Sequence, residues 1–193
     1  MKHCDCPPSF VIVAGPNGSG KTTFVKSHLS SIYSQHQILN YDEIVKAKNI
    51  SNPISISAGK ELRKRFETCQ SNLKSFIYET TLSDSTDFLI NSISEMQNAN
   101  WEVILYFLWI SSYEVSLKRV AQRVASGGHD VDKKHIIARY QRSVRNVIER
   151  YLPICNTVLC FDNECKDPRV IFSKKDEIVS IFNESLYNVM LEQ

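Results

Sequence analysis

The stretch AGPNGSGKTTF, Ala14 to Phe24, sets Gly15, Gly20, Lys21 and Thr22 at the spacing G-x-x-x-x-G-K-[ST]. Backbone N–H groups freed by Gly15, Gly18 and Gly20 can wrap phosphate oxygens at the positive end of a helix. Pro16, Asn17, Ser19 and Thr23 complete the stretch that would hold a nucleotide. Lys21 would then reach the outer phosphates, and the Thr22 hydroxyl would meet a magnesium ion. Such a loop leaves open whether the terminal phosphate goes to water or to a hydroxyl on a second substrate.

Transfer to a hydroxyl needs a group that orients it and accepts its proton, and a carboxylate does this. Asp42, in NYDE, is the leading candidate, and its side chain could instead cap a helix starting at Glu43. Glu79, followed by Thr80 and Thr81, could bind acceptor hydroxyls or hold magnesium through water. Charge that builds on the moving phosphoryl group must meet cations, and the region from Lys118 to Arg150 is rich in them. Helical spacing sets Arg119 with Arg123 on one face and Arg139 beside Arg142. The break SGGHD between them suits a hinge, so two basic helices would form a lid over the nucleotide. His129 in that break reads either as a substrate contact or as a hinge-packing residue. Most of these cations belong to a solvated face, with two or three at work.

The elements that must position these groups follow from hydrophobic periodicity. Phe10–Ala14, Gln37–Tyr41, Phe76–Glu79, Val103–Trp109 and Thr157–Phe161 read as strands. Helical patterns run from Lys21 to about Tyr33, Ile54 to Leu73, Asp84 to Asn98 with Ser83 or Asp84 as cap, and Tyr113 to Ala125. Two more run from Lys133 to Tyr151 and from Lys174 to Leu191. The alternation predicts an α/β fold with a five-stranded, mainly parallel sheet covered by helices on both faces. In such a sheet the carboxyl ends of the strands meet the ligand, and Asp42, Glu79, Ser111, Asp162 and Asn163 all fall there.

With 193 residues, 42% hydrophobic and 23% charged, the expected organisation is one domain over residues 1–193, with its lid at about 119–145. A net charge of +2 gives no support to nucleic acid as a partner. Trp101–Ile110 is too short to span a bilayer and MKHCDCPPS lacks a secretory core, so the expected location is the cytoplasm, with no membrane partner. The six cysteines there read as thiols, and His3, Cys4 and Cys6 do not have the spacing of a zinc knuckle.

The combination GPNGSGKTT, NYDE, YETT, GGHDV, RYQRSVRN and FDN resembles the zeta toxin family of P-loop kinases, especially the short zeta-like proteins often labelled predicted ABC-type ATPases. The resemblance extends from Phe10 to about Phe172. It implies the P-loop kinase-like three-layer fold with sheet order 2-3-1-4-5 and a helical lid, with ATP as donor and Mg2+ as cofactor. It implies a UDP-N-acetylamino sugar such as UDP-N-acetylglucosamine as acceptor, and an antitoxin as protein partner. On this pattern Lys21 and Thr22 match the loop lysine and magnesium hydroxyl, Asp42 the base, and Glu79 with Thr80 the substrate segment. Arg123 and one of Arg139 or Arg142 would be the lid arginines, and Asp162 with Asn163 would lie near the nucleotide's base. The established toxins continue into further C-terminal helices where this chain ends at Gln193, and another nucleotide or small metabolite as acceptor fits the same residues.

Two other classes have weaker support. ASGGHD superficially resembles the SGGQ signature of ABC ATPases, but the helix after it is crowded with arginines and leads to no apolar strand ending in Asp-Glu. A nucleotide-binding switch without an acceptor would have no use for Asp42.

Overall fold

A computed structural model of the chain describes residues 6–48, 55–128 and 130–193. At its centre, β1 (Ser9–Ala14) is flanked in parallel by β3 (Phe76–Thr80) and β4 (Glu102–Trp109). Phe10 to Ala14 are each 0% exposed, which explains the unbroken apolar run: a strand covered on both faces has no polar side. Outside these lie β2 (Gln37–Leu39) and β5 (Thr157–Asp162), so the parallel strands run 2-3-1-4-5 as the resemblance implies.

The sheet does not stop at β5. An antiparallel hairpin, β6 (Arg169–Lys175) and β7 (Ile178–Ile181), extends it to seven strands, and only Glu184–Leu191 of the expected C-terminal helix is helical. The apolar residues Ile178, Val179, Ile181 and Phe182 recur at helix-like spacing but are β-branched or aromatic. Asp176, at φ 53°, makes the reversal, and Asn183 caps the short helix by accepting from Leu186 N.

Helices cover the sheet unequally. Phe10, Ile12 and Ala14 face the larger core, built with α2 (Tyr41–Ala47), α3 (Ile56–Ser71), α4 (Phe88–Asn98), α6 (Lys133–Asn146) and α7 (Glu184–Leu191). Val11 and Val13 face a smaller core closed by Phe24, Val25 and Leu29, from α1 (Lys21–Phe24) and the π-helical turn Val25–Leu29 that continues it. α4 begins later than expected, because the Asp84 carboxylate accepts from Thr86 instead of capping a helix.

α5 (Tyr113–Ala125) packs on α6, with Val120 and Ile136 each 2% exposed. α6 ends in a π-helical turn, Val147–Tyr151, and the chain after it is fastened by the buried Lys174 amine. That amine donates to the carbonyls of Leu152 (2.9 Å), Pro153 (3.1 Å) and Cys155 (3.1 Å). Cys69, Cys155 and Cys160 are buried thiols; burial pushes Cys155 up to about 12. His3 and Cys4 lie outside the described residues, among which no cluster of His, Cys, Asp or Glu could hold a metal ion. No helix of the described residues is long and apolar enough to cross a membrane.

Candidate functional site

The loop after β1 is shaped by close approaches. A Cβ on Gly15, at φ 145°, would lie 2.3 Å from the Leu108 carbonyl oxygen of β4, and one on Gly20, at φ 88°, would lie 2.7 Å from Asn163 Nδ2. Both positions therefore require glycine. Ser19 N donates to Pro16 O at 3.2 Å, Asn163 Nδ2 donates to Ser19 O at 2.6 Å, and the Ser116 hydroxyl of α5 donates to Asn17 O.

Lys21 Nζ donates to the carbonyls of Gly15 (2.8 Å) and Pro16 (2.9 Å), the same backbone that forms the cradle. Burial lowers its pKa to about 8; the carboxylates of Glu79 and Asp42 oppose the shift, and the charges of Arg123 and Arg139 add to it. These four groups come from β3, α2, α5 and α6, so the charges of four separate elements act on one ammonium.

Thr22 Oγ1 donates to Glu79 Oε2 at 2.8 Å, and Asn40 Nδ2 donates to Thr22 Oγ1 at 3.3 Å. Glu79 is 8% exposed at the carboxyl end of β3. Burial raises its pKa, while the hydrogen bonds from Thr22 and Asn40 and the charge of Lys21 pull it back. Its other oxygen, Oε1, is buried without a hydrogen-bond partner among the described residues. A buried carboxylate oxygen left bare beside a loop threonine fits a divalent cation with oxygen ligands.

Asp42 is not the cap of its helix. β2 ends at Leu39 and Asn40 takes the cap position, with Oδ1 accepting from Asp42 N (2.7 Å) and Glu43 N (3.3 Å). The physical reason is local: Asn40 is extended at φ −128°, as a cap must be, whereas Asp42 is already in the first turn. Its carboxylate faces α5, where Arg123 Nη1 lies 3.6 Å from Oδ2.

The sequence left Arg139 and Arg142 as alternatives, and α6 separates them by its phase. Ile136, Tyr140, Ser143 and Val144 are buried; Arg139, half-buried, borders that face and its charge acts on Lys21, whereas Arg142, one step further round the helix, is exposed. Thr80 Oγ1 accepts from Leu82 N at 3.2 Å, inside the segment that follows β3. His129 lies outside the described residues.

On the other side of the loop, an open hollow of about 220 Å³ is lined by Gly20, Thr23, His28, Arg119, Asn163, Cys165 and Pro168, among others. Asp162 does not line it: its carboxylate is 2.5 Å from Arg169 Nη2 and accepts from Glu164 N. Arg119 is a site residue that sequence reasoning noted only as a member of a basic pair. Its guanidinium donates to Gly18 O (3.3 Å), Asn163 O (3.0 Å) and Glu164 O (2.9 Å), tying α5 to both rims of the hollow. Asn40 was missed too, although an Asn just before Tyr-Asp-Glu is the expected signal of a helix start.

A sequence model of the zeta toxin family matches residues 2–186 of this chain. A protein of Haemophilus influenzae described only as uncharacterized is 27% identical over 132 residues, 67% of this chain and 91% of its own length. Among solved structures, the AvrRxo1-ORF1:-ORF2 complex with ATP superposes with TM-score 0.71 at 18% identity, over 96% of this chain and 64% of that one. The PezAT chromosomal toxin–antitoxin system of Streptococcus pneumoniae superposes with TM-score 0.62 at 18% identity, over 96% of this chain and 83% of that one. At these identities the two structures share the fold, and the chain spans less than two thirds of the AvrRxo1 chain.

Proposed function

Since this chain belongs to the zeta toxin family and has the P-loop kinase-like fold, we propose that it is an ATP-dependent kinase that moves the γ-phosphate to a hydroxyl. The observation that carries this reading is that two carboxylates gather at the phosphate loop, Asp42 paired with Arg123 at 3.6 Å and Glu79 bonded to Thr22 at 2.8 Å, beside the Lys21 amine. A binding switch needs the cradle alone. A carboxylate near the terminal phosphate, with cations around it, supports transfer to a second substrate.

In this mechanism Arg119, Asn163 and the hollow bounded by Pro168 hold the base and ribose of ATP, while the Gly15–Thr22 backbone and Lys21 hold its phosphates. Thr22 and Glu79 would hold magnesium, which when bound neutralises charge on the outer phosphate oxygens. Asp42 accepts the proton of the acceptor hydroxyl as its oxygen bonds to the γ-phosphorus and the bond to the β–γ bridging oxygen breaks. Lys21, Arg123 and Arg139 face the charge on the transferred group, and ADP leaves. The helices that carry the two arginines form the lid around Gly127 and Gly128, with Arg119 and Tyr140 as its fixed ends.

By the family pattern the acceptor is a UDP-N-acetylamino sugar, bound through Asp42, Glu79, Thr80 and His129, in the cytoplasm where ATP is available. The likeness to the PezAT toxin–antitoxin system supports an antitoxin as partner. Phosphate accounting tests the reading: the chain is incubated with ATP and magnesium, with and without UDP-N-acetylglucosamine or a metabolite pool, and products are identified by mass spectrometry. A phosphorylated small molecule that disappears in Asp42→Asn is the expected result. Inorganic phosphate alone, released equally by both proteins, would sink it.

A further inference from the structure

Asn146 closes α6 and is the last residue of the RYQRSVRN block, yet the reaction described above gives it no part. It is 8% exposed. A buried amide is costly unless hydrogen-bonded, and asparagine is a poor helix former, so an apolar residue would serve α6 better if packing were the only demand. The Asn146 amide reaches out of its helix and donates to Leu82 O at 2.6 Å and Asp84 O at 3.3 Å.

Those carbonyls belong to the segment that leaves β3 directly after Glu79 and Thr80. Leu82 sits at φ 51°, a left-handed conformation that leucine rarely adopts. It holds that conformation because its side chain is 1% exposed in the core, its N–H is bound by Thr80 Oγ1 and its carbonyl is bound by Asn146. On the same face of α6, two turns earlier, is Arg139, whose charge acts on Lys21. Between them the Tyr140 hydroxyl donates to Ile110 O at 2.9 Å, fixing α6 against the end of β4.

We infer that Asn146 is a positioning residue, which clamps the Thr80–Asp84 segment to α6 and so fixes the spacing between the acceptor side of the site and Arg139. α6 then carries one cation to the donor phosphates and one clamp to the acceptor segment, on a single rigid element. This rests on the reading of Glu79 and Thr80 as the acceptor side.

The test uses the full chain as wild type, Asn146→Ala and Asn146→Ser, the serine variant serving if the alanine variant does not fold. With ATP and UDP-N-acetylglucosamine as the probe acceptor, the acceptor KM should rise by roughly tenfold or more while the ATP KM stays within about twofold. Hydrogen exchange should quicken at the amides of residues 81–84 and stay unchanged at residues 15–22. An unchanged acceptor KM, or an equal rise in both constants, overturns the inference. If the wild type transfers nothing to the probe, that acceptor is wrong and exchange alone decides the clamp: faster exchange confined to 81–84 supports it, and unchanged exchange overturns it.

Discussion

Arg123 of α5 and Asp42 of α2 form an ion pair across the mouth of the site, with Nη1 3.6 Å from Oδ2 and the two side chains 36% and 54% exposed. A pair this exposed contributes only about 0–1 kcal/mol to stability. Its importance is geometric, because it brings the proposed base and a proposed phosphate cation together at the same edge of the cradle.

Asp42→Asn should therefore leave thermal stability and ATP affinity nearly unchanged while lowering the transfer rate by about 10²–10⁴-fold. Equilibrium binding of a fluorescent ATP analogue beside single-turnover transfer separates the two effects. Full transfer to the true acceptor in this variant would move the base role to Glu79.

Two of the three arginines of α6, Arg139 and Arg142, should differ sharply. Arg139→Ala is expected to cost on the order of a thousandfold in transfer, as loss of a phosphate-stabilising cation does. Arg142→Ala, on the exposed face, should change the rate by no more than about twofold. Comparable losses in both would mean that the phase of α6 does not select the working cation.

The pH dependence of ATP binding should follow Lys21. Phosphate attracts the ammonium form, which predominates below a pKa of about 8 and is lost above it. Affinity should be steady below that pH and then fall by up to about tenfold per unit as pH rises, because the bound lysine must first take up a proton. Lys21→Arg stays charged and should remove this alkaline limb even if it binds less tightly. Isothermal titration in buffers of different ionisation enthalpy reads the proton uptake directly.

Glu79→Gln retains the hydrogen bond from Thr22 and removes the charge. The magnesium concentration for half-maximal transfer should rise by roughly ten- to a hundredfold, with ATP binding in magnesium-free buffer altered far less. An unchanged magnesium requirement would assign Glu79 to the acceptor alone.

Gly15→Ala should destabilise the protein by on the order of 3 kcal/mol, because the added Cβ meets a backbone carbonyl of β4 that cannot yield cheaply. Urea denaturation measures it. Gly127→Ala is the contrast: among the described residues beyond its chain neighbours no atom lies within 4 Å of the added Cβ, so the backbone strain at φ 83° is the main cost.

The parallel half of the molecule was legible because each of its signals is local. FVIVA is apolar throughout and is followed at once by glycine, and Tyr113–Ala125 has the same bounds in pattern and in structure. The stretch after β5 was misread because Ile178–Phe182 satisfies two periodicities, and the hairpin is chosen by the open edge of β5, which a local pattern cannot register. Asp42, Glu79 and Lys21 could be gathered from the strand-end rule. The phase that separates Arg139 from Arg142 was also present in the sequence, in Ile136, Tyr140 and Val144, had it been read around the helix. Arg119 was not recoverable in this way, since its three acceptors come from the loop after β1 and the segment after β5, far apart in the chain.

The distribution of thiols has a practical consequence. Cys69, Cys155 and Cys160 are shut in the core, whereas Cys6 and Cys165 are exposed, Cys165 on the rim of the hollow beside Arg119 and Pro168. A maleimide dye attached there would sit where the proposed adenine-binding surface begins, and nucleotide would compete with the labelling reaction. With Cys4 and Cys6 replaced by serine, the chain thus carries a natural attachment point from which occupancy of that surface can be followed by fluorescence.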